Sequence, residues 1–238
     1  IRDYVKGQTL NVENPDKPKL QLLIDKGEYF AAVEDDVDKV QADIKMMDQW
    51  SKDASERMKI KIDQRVLTDI LPDISASNKG ATAGAISGNI NLGVTGTPVA
   101  VTKSNVIEHI INMGLALDEA NAPESDRFLI IPAKMAAYIK QSDLKDASIT
   151  GDGSSPLRNG RLGMVDRFTL YVSHNLKKTG SEFDVIGGHK MGMTFASQMT
   201  NLETLRSEAT FGNIIRGLQV YGYKVVKPEA LSQSVITL

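Results

Sequence analysis

Residues 35–70 read DDVDKVQADIKMMDQWSKDASERMKIKIDQRVLTDI. Neither glycine nor proline interrupts them, and Pro72 follows closely. Apolar side chains recur at Val37, Val40, Ile44, Met47, Trp50, Ala54, Met58, Ile62, Val66 and Ile70, on one helical stripe. Glu34, Asp35, Asp36 and Asp38 gather at the start, where the helix dipole favours negative charge. The stretch predicts a single helix over 35–70, about 54 Å long. A compact globule of 238 residues is roughly 45 Å across. A helix longer than that implies an elongated subunit.

Upstream, residues 1–33 predict a long β-hairpin. VKGQTLNVEN and KLQLLIDKGEYFAAVE are its arms, and Pro15 and Pro18 flank the turn. A lone hairpin is marginal in water, so this one needs a surface to lean on. Downstream, residues 73–102 are rich in small side chains and predict loops with short strands. Ser104 or Asn105 caps a helix in NVIEHIINMGLALDEA. Arg127–Ile131 predicts a buried strand, and Pro132 opens the helix PAKMAAYIKQS. Asn159-Gly160 marks a turn, and FTLYVSHNL alternates like a strand. Phe183–Gly187 predicts another strand, with a helix after it through HKMGMTFASQM. The tail from Phe211 is β-rich. The order of elements is mixed α+β without regular βαβ alternation.

Composition narrows the function. Hydrophobic residues make up 41% and charged residues 24%, as in ordinary globular proteins. No apolar run approaches the length of a membrane helix. The absence of cysteine excludes disulfides, thiolate metal sites and cysteine nucleophiles. The net charge of -2 comes without any basic run, so strong phosphate gripping is not encoded.

The glycine-rich stretch GDGSSPLRNGRLG, residues 151–163, tests for a phosphate loop. Pro156 takes the place of the third glycine of GxGxxG, and GxxxxGK[ST] occurs nowhere. His109, His174 and His189 are too far apart in sequence for a local metal pair. His109 reads as a packed or capping residue and His189 as a polar surface group. The acidic EDDVD at 34–38 lacks the glycine and distal glutamate of a calcium loop. No catalytic residue, cofactor or metal is assigned. Lys17, Lys19 and Lys26 on the hairpin, with Arg158, Arg161 and Arg167 near the glycine-rich stretch, are the candidates for contacts between subunits.

Four stretches in order resemble the major capsid proteins of tailed bacteriophages, which have the Hong-Kong-97-type fold. They are the hairpin with its long helix, LALDEANAPESDRFLIIPAKMAAYI at 115–139, NGRLGMVDRFTLYVSHNL at 159–176, and GLQVYGYKVVKPEAL at 217–231. In the third, Asp166-Arg167 stand where the family usually has a glycine. The resemblance implies an N-terminal arm before Ile1 and an extended loop over 1–33. It implies a peripheral domain over 34–103 with the spine helix 35–70, an axial domain over 104–200, and a return to the peripheral domain over 201–238. It further implies a virion shell built from pentamers and hexamers of this chain in the host cytoplasm. Double-stranded DNA would lie inside without sequence-specific contact. Scaffolding, portal and decoration proteins are the implied partners. Two other readings stand beside it: an encapsulin-type nanocompartment shell, and a small enzyme using 151–163.

Overall fold

Strand pairing sorts the described residues into two sheets, with a helix packed against both. The computed structural model describes residues 6, 7, 9, 20–36, 46–142, 163–208 and 210–238. The first strand, β1, is Lys26–Asp35, and α1 is the helix Met46–Asp69. After a glycine-rich stretch come β2 (Val99–Ala100), α2 (Val106–Glu119), β3 (Arg127–Ile131) and α3 (Ala133–Gln141). Then follow β4 (Met164–Val165), β5 (Phe168–Val172), β6 (Lys178–Thr179) and β7 (Glu182–His189). The chain ends with β8 (Met193–Arg206), β9 (Gly212–Val225) and β10 (Leu231–Thr237).

The larger sheet has the order β2-β10-β7-β3-β5-β4, with β6 on β7. It is mixed: β3 runs parallel to β5 and antiparallel to β7. Alternation along β3 assigns its two faces. Leu129 and Ile131 join a core with Met113 and Leu117 of α2 and Met135 and Ile139 of α3, all fully buried. Phe128 and Ile130 face a second core made by Ile62 and Val66 of α1 with Ile70, Tyr221 and Leu231. The smaller sheet is β1-β9-β8, antiparallel throughout, with a bulge between Ser197 and Met199.

The described part of the long helix agrees with the expected one at its C-terminal end, but its expected first residue, Asp35, is instead the last of β1, held by pairing with Gly212; residues 37–45 lie outside the described residues. Its expected apolar stripe is used only in part. Ile62, Val66 and Ile70 are buried, whereas Trp50 is 41% exposed. The C-terminal half of the described helix packs on the second core and pairs with β1. The second arm of the expected hairpin is extended over Lys26–Asp35 and pairs along its whole length with β9, from Lys26 opposite Tyr221 to Asp35 opposite Gly212. Most of the first arm lies outside the described residues.

The helix expected through HKMGMTFASQM is corrected. Only Lys190–Gly192 forms a 3-10 turn, and Met193 opens a strand of 14 residues. Alanine, serine, glutamine and methionine tolerate a helix, but β8 gains a full antiparallel ladder against β9. His189, expected at the surface, is buried, and its Nδ1 accepts the Met191 N–H at 3.1 Å. Asn105 precedes α2 without capping it. Its Oδ1 accepts the Thr102 N–H and its Nδ2 donates to the Ala100 carbonyl, which braces the entry loop instead. β8 continues past residue 200 beside β9, and β10 returns to β7 in the larger sheet.

Candidate functional site

Directly opposed residues of an antiparallel ladder share a face. On one face of the smaller sheet, Tyr29 stands opposite Leu218, which stands opposite Asn201; Val33 stands opposite Ile214, which stands opposite Leu205. Between these rows, Arg216 binds Glu203 at 2.7 Å. Tyr29 is 79% exposed, and Val33, Leu205 and Leu218 are exposed as well. Phe211, just before β9, is 83% exposed. On the other face, the Phe30 ring lies over Gly217, where an added Cβ would come within 2.4 Å of it. A second apolar groove runs between α1 and the larger sheet. Ile62, Val66, Phe128, Ile130, Met193 and Phe195 line it, with Asp63 and Ser173 among its few polar groups.

α1 is fastened to the smaller sheet by charge. The Glu28 carboxylate of β1 is buried and sits 2.5 Å from Lys61 and 3.1 Å from Arg65. The Lys61 contact outweighs burial and holds the Glu28 carboxyl below its ordinary range, with Arg65 adding to it. At the end of the helix, the Tyr223 hydroxyl donates to Asp69. Burial and that bond push the phenol above its ordinary range.

A second charged centre ties α2 to the turn between β4 and β5. Arg127 is fully buried. Its Nε donates to the Pro123 carbonyl and its Nη2 to the Ala122 carbonyl, both at 2.8 Å, and it pairs with Asp118 at 2.7 Å. Arg167 reaches the same carboxylate at 2.7 Å and Glu124 at 3.3 Å. Burial raises the Asp118 carboxyl, but the two guanidiniums prevail and hold it low. Asp166 and Arg167 both have positive φ, 45° and 66°, as a two-residue hairpin turn requires. Gly114 of α2 packs against that turn, with the Asp166 carboxylate within 2.6 Å of where a Cβ would stand.

Among the candidate contact residues, Lys26 and Arg167 are described. Lys26 Nζ lies 3.3 Å from Asp25 and 4.8 Å from the Tyr223 ring centre. Both charges are therefore engaged within the chain. Lys17, Lys19, Arg158 and Arg161 lie outside the described residues, as does nearly all of the glycine-rich stretch 151–163. Sequence reading passed over Asp118 and Arg127. Their signal was the arginine ending LDEANAPESDR, a charged residue at the mouth of an apolar strand.

No catalytic arrangement emerges among the described residues. His109 Nε2 lies 2.8 Å from Ser234 Oγ, the atoms a nucleophile and its base would use. Ser234 Oγ, however, donates to the Leu92 carbonyl at 2.8 Å, and both side chains are buried. His109 therefore donates to Ser234, and burial lowers its pKa to about 4. This is a neutral core histidine, as its apolar helix suggested. No cluster of histidine, aspartate and glutamate among the described residues could hold a metal, and no described helix is long and apolar enough to cross a membrane.

The fold has close counterparts in viral shells. A solved structure from Mycobacterium phage Che8 matches with a TM-score of 0.71 and 25% identity, over 90% of this chain and 71% of that one. The capsid of the cyanophage P-SCSP1u matches with a TM-score of 0.68 and 15% identity, over 96% of this chain and 80% of that one. The SrpI encapsulin of Synechococcus elongatus is a more distant likeness, with a TM-score of 0.56 and 9% identity over 89% of this chain and 73% of that one. No curated protein matches in sequence. The model of the phage capsid protein family matches residues 23–233. The chain belongs to that family, and its fold is the Hong-Kong-97-type fold of tailed-phage major capsid proteins.

Proposed function

We propose that the subunit assembles with copies of itself, as pentamers and hexamers, into a closed icosahedral shell around the double-stranded DNA of a tailed phage. It acts as a structural subunit and not as an enzyme. Its chemistry is surface matching: repeated contacts between identical surfaces, each modest, add up to a stable shell. The observation that carries this reading is the smaller sheet, which keeps Tyr29, Val33, Leu205 and Leu218 exposed beside the two buried cores of the described residues. An apolar sheet face of this kind marks an interaction surface. The net charge of -2 fits a container that holds DNA without reading it.

Within that reading, 1–33 serves as the extended loop over a neighbour, 34–103 and 201–238 as the peripheral domain, and 104–200 as the axial domain. Lys17, Lys19, Arg158 and Arg161 are proposed to reach neighbouring subunits. Scaffolding, portal and decoration proteins join the particle, and assembly proceeds in the host cytoplasm. Electron microscopy of the expressed protein tests the shell: closed icosahedral particles are expected, and a uniform monomer at high concentration would refute it. The encapsulin likeness favours a second reading, a cargo shell. Particles purified from infected cells separate the two, because nuclease-protected DNA supports the virion and a protein cargo supports the nanocompartment.

A further inference from the structure

We infer that a second copy of the chain docks across the outward faces of α2 and α3, the acidic ridge of one copy on the basic face of the other. This rests on the shell-forming reading. α2 buries His109, Ile110, Met113 and Leu117 and turns Glu108, Ile111 and Leu115 outward. Their spacing of three and four residues makes one ridge. Ile111 and Leu115 are 47% and 43% exposed. The ridge continues to Glu119, whose Oε2 accepts the N–H groups of Ile86 and Ser87, both at 2.9 Å. That clamp, with the Ala83–Ile90 bridge, fixes a loop whose Ile86 is 83% exposed. An apolar side chain held rigidly in water is preorganised for contact.

α3 presents the complement. It buries Met135, Ala136 and Ile139 and leaves Ala133, Lys134 and Ala137 exposed. Ala133 and Ala137 repeat at the spacing of Ile111 and Leu115, about 6 Å, so two large side chains meet two hollows, ridge into groove. The charges match too. Neither Glu108 nor Lys134 has an ion pair among the described residues. Glu108 suits the start of its own helix, but Lys134 does not: a positive charge in the first turn opposes the helix dipole. Its own chain offers it the Tyr138 ring, with the centre 5.7 Å away. Glu108 of a second copy supplies the missing anion.

Charge exchange tests the docking. Glu108→Lys and Lys134→Glu are each expected to lower the yield of closed particles roughly tenfold or more, with the circular dichroism of the subunit unchanged. The double variant is expected to recover to within about twofold of wild type. Wild-type yields from both single variants, or no recovery in the double, would overturn the inference. Ile111→Arg, at an exposed position the fold does not use, keeps the test open if a charge reversal misfolds; normal shells from it overturn the docking as well. Normal shells that no longer take up another virion protein would assign the face to that protein and overturn self-docking. A wild-type chain that forms no shells refutes the assembly reading instead, which is a separate outcome.

Discussion

The two sheets are built from similar strands and end in opposite states. The larger sheet carries α2 and α3 on one face, and Leu129, Ile131, Met113 and Met135 are fully buried there. The smaller sheet meets α1 through Glu28 and Tyr223 and leaves Tyr29, Val33, Leu205 and Leu218 in water. The first region found its covering layer within the chain. The second has no such layer over this face among the described residues. The buried face of the larger sheet is therefore expected to carry stability, and the open face of the smaller sheet is proposed as an association surface beside the outer faces of α2 and α3, so single substitutions can separate the two roles.

The largest loss is expected at Arg127. Arg127→Met leaves the Asp118 carboxylate to Arg167 alone and strands the carbonyls of Ala122 and Pro123. Two acceptors left without a donor, at about 1–3 kcal/mol each, put the loss at about 3–5 kcal/mol. The urea midpoint of the unassembled subunit measures it, and a midpoint like that of wild type would show that the centre is ornamental to the larger sheet.

Next comes acid. His109 has a folded pKa of about 4, below its unfolded value, so the unfolded chain takes up the proton first as pH falls. Stability from the neutral histidine is complete above about pH 6.5 and lost progressively toward pH 4, by roughly 3 kcal/mol in all. His109→Gln keeps a donor toward Ser234 and cannot take up a proton. Its stability is expected to fall less between those pH values than that of wild type; identical slopes would exclude His109 as the source.

How much of this could be read beforehand depends on whether a feature is local. α1 was legible because no glycine or proline interrupts it, and β3 because five residues between turn signals suffice for a buried strand. TFASQM was misread because its own propensities allow a helix; what makes it a strand is β9, which follows it in the chain. The Asp118 centre was invisible for the same reason. Arg167 and Asp118 are 49 residues apart and meet only once the turn of Asp166 and Arg167 packs on Gly114. The stripe on α1 was read correctly as apolar, yet apolarity does not say whether the covering layer comes from the same chain. Trp50, on that stripe, is 41% exposed.

A smaller change probes the contact that seats that turn. Gly114→Ala improves helix propensity by about 1 kcal/mol, and its methyl group meets the end of the Asp166 side chain, which can turn aside, with the Phe168 ring at ordinary contact distance. A net change of no more than about 1 kcal/mol is expected by thermal melting. A larger loss would mean that Asp166 is held in place and that the turn between β4 and β5 cannot yield.

The smallest stability effect belongs to the smaller sheet, and there the comparison is sharpest. Tyr29 and Leu218 face each other on its exposed face. Replacing both with serine removes little that the isolated subunit uses, so its melting should move by no more than about 0.5 kcal/mol, as for ordinary surface changes. Shell formation should fail, because the apolar row that a neighbour covers is gone. The reverse result, a destabilised subunit that still closes into shells, would mean that this face is covered within its own chain. The division of labour between the two sheets would then have to be abandoned, since a row that stabilises the monomer is not available to a neighbour.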